Sequence, residues 1–186
     1  MRMLVGIAMA AIAGCAWAGP KVPICMGLGS DGPALIVAQK LASKMFAEIG
    51  VQTEWGEWPN HRDSCLRNGA ILITLLYQTP PSNLPGTWGY ALPFEGKHIV
   101  VFWDRVRHKV SPVQAPFLLA HVLVHEITHI LQGVDRHSES GVMKAAWDPD
   151  EIGAMMRRPL GFTELDVNLI RRGLEARSLV ALNLRK

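Results

Sequence analysis

Long apolar runs are scarce in this 186-residue chain. Outside the N-terminal stretch none approaches the ~18 consecutive apolar residues that cross a bilayer, so an integral membrane span is not expected. Charge of one sign is equally scarce. The 19 Lys and Arg stand against 16 Asp and Glu, a net +3 without any block of like charges, and a nucleic-acid footprint is therefore not supported. No internal repeat or low-complexity tract is visible, and 49% hydrophobic with 19% charged residues exclude a mostly disordered protein. Cysteine is limited to Cys15, Cys25 and Cys65.

The N-terminus reads as an export signal occupying residues 1–18. Arg2 precedes an apolar run from Met3 to Ala13, followed by small residues and Ala16-Trp17-Ala18. Ile12-Ala13-Gly14-Cys15 also resembles a bacterial lipobox, which would anchor the mature chain through Cys15. Cleavage after Ala18 is preferred, because a lipobox so near the start leaves a very short signal. A secreted or periplasmic protein is expected, with residues 19–186 as one domain and a monomer as the simplest state. Export leaves Cys25 and Cys65 as an even pair in an oxidising compartment. A disulfide between them would close a loop of about 40 residues, worth ~2–4 kcal/mol. Only a few residues separate the cleavage site from the first strand, so no inhibitory propeptide is expected.

Periodicity supplies the elements. Val22 to Met26 is extended and leads through a turn with Gly27, Gly29 and Gly32 into a helix from Ala34 to Ile49 that stops at Gly50. Val51 to Trp55 alternates like a strand. A polar loop from Gly56 to Gly69 carries Cys65, and Ile71 to Tyr77 is a continuous apolar run suited to a buried central strand. Gly86 to Gly96 reads as an irregular edge strand that tolerates Pro93, and His98 to Val106 as a further strand. Phe117 to Leu131, entered through Pro112 and Pro116, is apolar nearly all round, which marks a buried helix. Thr163-Glu164-Leu165-Asp166 caps a last helix.

The chemistry lies in the buried helix, within the string His125-Glu126-Ile127-Thr128-His129. Positions four apart on a helix are separated by about 40° of rotation, so His125 and His129 project side by side and can share one metal ion. Burying ionisable groups on an apolar helix is costly unless they are paired. Catalytic zinc takes three protein ligands and keeps one position for water, beside which Glu126 could act as general base. Gly133 is placed to end the helix left-handed and to turn Asp135 and His137 back toward the pair. Ser140-Gly141-Val142-Met143 forms a tight turn beyond them.

These residues resemble the metzincin clan of zinc metallopeptidases, whose signature is HExxHxxGxxH followed by a methionine-containing turn. Here Gly133 lies four residues after His129 and His137 eight after, a loop two residues longer than the pattern. Asp135 occupies the standard spacing, but His137 is preferred as third ligand. The resemblance implies an α+β fold with a twisted mixed sheet, an antiparallel edge strand, a buried active-site helix, a Met-turn and a C-terminal helix. It also implies one catalytic Zn2+ held by His125, His129 and His137, Glu126 as general base, Met143 beneath the ligands, and Gly89, Tyr90 and Ala91 on the strand that holds a peptide or protein substrate. No tyrosine closely follows Met143, so oxyanion stabilisation would fall mainly to the ion.

Two alternatives accompany that reading. One is a gluzincin-type site with Glu151 as third ligand, although Asp148-Pro149-Asp150-Glu151 is already explained as a helix start. The other is a catalytically silent zinc-fold protein of the envelope that binds peptide, against which Glu126 argues. His121, one turn before His125, is read as a packed residue and not as a ligand. Trp55, Trp58, Trp88 and Trp103 are read as core or rim residues.

Overall fold

The computed structural model describes residues 19–27, 31–57, 65, 69–83 and 85–183, and side chains up to residue 179. The signal reading for residues 1–18 with Cys15, and the readings on Gly29 and Trp58, lie outside the described residues. Five strands form one sheet in the order β2-β1-β3-β5-β4. They are β1 Lys21–Met26, β2 Gln52–Glu57, β3 Ile71–Leu76, β4 Gly89–Ala91 and β5 His98–Phe102. All neighbours pair in parallel except β4, which runs antiparallel to β5 along one edge. Five helices are described: α1 Gly32–Ala47, α2 Trp103–Lys109, α3 Ala115–Gln132, α4 Pro149–Ala154 and α5 Glu164–Asn183.

The mixed α+β architecture follows from where apolar side chains repeat. Leu35, Ala38, Ala42, Met45 and Phe46 make one buried stripe on α1, which crosses over between the parallel strands β1 and β2. That stripe, Val22, Ile24 and Met26 of β1, Ile71 and Ile73 of β3, and nearly the whole surface of α3 form the main core. Gly133 ends α3 at φ 68°, and Gly50 closes the turn after α1 at φ 80°, a region that side-chain-bearing residues rarely adopt.

The expected central strand is central but not buried on both sides. Ile71 and Ile73 face the helices, whereas Thr74 is exposed and Leu72 half-buried on the other face. That face is covered in part by a small cluster of Cys25, Cys65 and Ala70 with Leu72 against it. Cys25 and Cys65 are joined by a disulfide across a separation of 40 residues. Gly56 leaves room for it, since a Cβ there would lie 3.0 Å from Cys25 Sγ.

Two expectations are corrected. The strand expected from His98 to Val106 stops at Phe102, and the chain turns into α2. Trp103 and Val106, three residues apart and both buried, show the helical period, and Trp103 Nε1 donates to Asp31 Oδ2 at 2.7 Å. The edge strand expected over Gly86 to Gly96 keeps only Gly89–Ala91 in the ladder, and Pro93 falls in the turn beyond it. Gly96 N–H donates to Leu92 and Pro93 oxygens there.

Candidate metal centre

Helix α3 carries half-buried His125 and buried Glu126 and His129 to the edge of a cleft. Glu126 is 7% exposed and His129 5%. The helical repeat sets the two imidazoles side by side, with their Nε2 atoms 3.1 Å apart.

Protonation decides what that contact means. His125 Nδ1 lies 2.8 Å from the Val142 carbonyl oxygen, which can only accept, so Nδ1 carries the proton. His129 Nδ1 faces the Val134 carbonyl at 3.4 Å, a longer contact of the same sense. Burial pushes the His125 pKa down to about 4 against the pull of the Val142 carbonyl, with His129 and His137 lowering it further. Burial likewise lowers His129. Both rings are therefore neutral near pH 7, and two unprotonated Nε2 lone pairs confront each other. The pair is repulsive alone and favourable around a cation. Two Zn–N bonds of ~2.05 Å at the tetrahedral angle separate their nitrogens by about 3.3 Å, so the spacing suits zinc.

Gly133 N–H donates to His129 O at 3.0 Å as the helix ends left-handed, and the loop that follows brings His137 back. The His137 ring centroid lies 5.2 Å from that of His125 and 5.1 Å from that of His129. One nitrogen from each ring lies within 4.8 Å of the others. Asp135 lines the same cleft but stands outside this cluster, as does Glu151. Glu151 is engaged in the α4 capping box and in an ion pair with Lys144 at 2.8 Å.

The turn that holds His125 is fixed by one local and one long-range backbone hydrogen bond. Val142 N–H donates to Gly161 O at 2.9 Å and Ser138 N–H to Met143 O at 2.8 Å. Val142 and Met143 are fully buried. Gly141 has φ 78°, and a Cβ there would meet Gly161 O at 2.4 Å. His121 spends both nitrogens on structure: Nδ1 donates to Phe117 O at 2.7 Å and Nε2 accepts from Leu160 N–H at 3.0 Å.

Glu126 opens onto a cleft of about 750 Å³ between α3 and the strand Gly89-Tyr90-Ala91. Burial, and next the Asp135 charge, raise its pKa to about 8. Trp88 and Trp147 line the cleft with ring centroids 5.6 Å apart, and Trp147 meets the His125 ring edge-on at 5.7 Å. Sequence reasoning did not single out Trp147 or the Val142 carbonyl. Neither has a local signal, because each reaches His125 only through the folded turn.

No protein-family model matches the chain. No curated protein matches it either. Among solved structures it is similar to archaemetzincin from Methanopyrus kandleri, with a TM-score of 0.56 and 19% identity over 86% of this chain and 98% of that one. At that identity the likeness establishes a shared α+β fold.

Proposed function

We propose that the protein is an exported zinc-dependent endopeptidase. The observation that carries this reading is the convergence of three imidazoles beside a buried glutamate, on a cleft bordered by an open sheet edge. Similarity to an archaemetzincin fold and the motif in α3 support it independently. His125, His129 and His137 would hold the ion. When bound, zinc supplies a Lewis acid that polarises the scissile carbonyl and eases deprotonation of the attacking water.

The remaining work falls to the chain. Hydrogen bonds from Nδ1 to backbone carbonyls keep the Nε2 lone pairs of His125 and His129 available. The Glu126 carboxylate accepts the proton of the attacking water and passes it to the leaving amine. The outer side of β4, at the end of the sheet, offers backbone groups to an extended peptide, which adds as a further strand along Gly89, Tyr90 and Ala91. Met143, fully buried next to the Val142 carbonyl that holds His125, would form the apolar floor under the rings. Reading residues 1–18 as a removed leader is supported by the Cys25–Cys65 bridge, which persists in oxidising compartments.

Metal analysis of the purified chain should find one zinc, and an unstructured peptide should be cleaved in a manner abolished by chelator. Absence of zinc would overturn the reading. Tight peptide binding without turnover would favour a silent binding module.

A further inference from the structure

We infer that Asp166, in the first turn of α5, is a positioning residue for the third imidazole: its carboxylate grips the two residues that bracket His137 and so sets where that ring stands. The inference rests on the metal reading above. His125 and His129 ride on a helix, but His137 is exposed on an irregular loop and needs support from elsewhere. Asp166 Oδ1 supplies it, accepting from Arg136 Nη1 at 2.8 Å and from Ser138 Oγ at 2.7 Å. Arg136 Nη2 also donates to Ser138 Oγ at 3.1 Å, closing a ring of contacts across the residue between them.

The other oxygen does different work. Asp166 Oδ2 accepts from Thr163 N–H at 3.0 Å and from Thr163 Oγ1 at 2.7 Å, while Asp166 N–H donates back to Thr163 Oγ1 at 3.2 Å. This is a reciprocal helix cap. One carboxylate thus joins the start of α5 to the ligand loop. It leads the buried stripe Asp166, Ile170 and Leu174, a core position where an apolar residue would ordinarily sit. Burial alone would raise its pKa, but hydrogen bonds from Thr163, Ser138 and Arg136 hold it below the usual aspartate range. An ion pair with one buried partner is by itself weak evidence for stability, and here the partners it joins are the neighbours of His137. Gln132 turns its Nε2 toward Asp166 Oδ1 at 3.4 Å, leaving Gln132 Oε1 buried without a partner among the described residues.

The two oxygens can be tested separately. Zinc affinity of the full zinc-free chain would be measured by chelator competition, alongside its melting temperature and the visible spectrum of the cobalt-loaded form. The double variant Arg136→Leu/Ser138→Ala removes the loop side and should weaken zinc binding by about tenfold or more with an altered cobalt spectrum. Thr163→Val removes the cap hydroxyl and should lower the melting temperature with zinc affinity and spectrum retained. Unchanged zinc affinity in the double variant would overturn the tether. So would equal loss of affinity in both variants, which would mark a general effect of stability. A wild-type chain that binds no zinc would instead overturn the metal reading, and the tether with it.

Discussion

Gly89 passes so close to Glu126 that a Cβ on the glycine would lie 3.3 Å from the glutamate Oε1, and 2.9 Å from the Val100 carbonyl oxygen. The edge strand therefore borders the buried carboxylate with backbone alone. Gly89→Ala should push β4 out of register, at a cost of ~1–3 kcal/mol read from the urea midpoint, and should depress peptide cleavage. A variant with wild-type midpoint and turnover would show that the strand has room to spare.

Roles inside the cluster separate by substitution. Glu126→Gln should keep zinc while kcat falls by roughly 10²–10⁴-fold, since a general base is lost and no ligand is. His137→Ala should weaken zinc binding far more than Asp135→Ala, as measured by metal content after dialysis. The opposite order would transfer the third-ligand role to Asp135.

Zinc binding should release protons near pH 7. Without a cation Glu126 is mostly protonated below its pKa of about 8, and a divalent ion beside it favours the carboxylate. His125, with a pKa of about 4, is already neutral there, and burial shifts His129 the same way, so the release is assigned chiefly to Glu126. Calorimetry in buffers of different ionisation enthalpy would count the protons, and Glu126→Gln should release fewer. Equal counts would mean that Glu126 is ionised before the metal arrives.

His121 makes the fold acid-sensitive. Burial lowers its pKa from 6.5 to about 4, outweighing the Phe117 carbonyl that favours the charged ring. Between these values the unfolded chain binds a proton that the folded one refuses. The stability that neutral His121 contributes is thus complete above pH 6.5 and declines as pH falls toward 4, by ~3 kcal/mol at most. Denaturant titrations from pH 7 to 4 should show a shallower decline in His121→Gln. Parallel curves would remove this residue as the cause.

Much of the fold could be read from the residues, with characteristic exceptions. The helix from Ala34, the buried helix through His129 and the last helix after Thr163 were legible from apolar spacing and caps, and appear as α1, α3 and α5. The strand from His98 was overextended because Trp103 and Val106 suit a strand or a helix equally; contact with Asp31, 72 residues away, accompanies the helical outcome. The edge strand was overextended because alternation does not reveal where a ladder partner ends.

The same division governs the site. Spacing along one helix was enough to place His125, Glu126 and His129 together, since the rise and twist of a helix depend only on neighbouring residues. Gly133 signalled the reversal that follows, because its left-handed turn is a local property. Where His137 would come to rest was not written in any spacing. It stands between Arg136 and Ser138, which meet Asp166 across 30 and 28 residues, and faces His125, itself held by Val142 across 17. Such partners become neighbours only once sheet and helices have packed, because a hydrogen bond between distant residues has no signature until the core brings its two ends within about 3 Å.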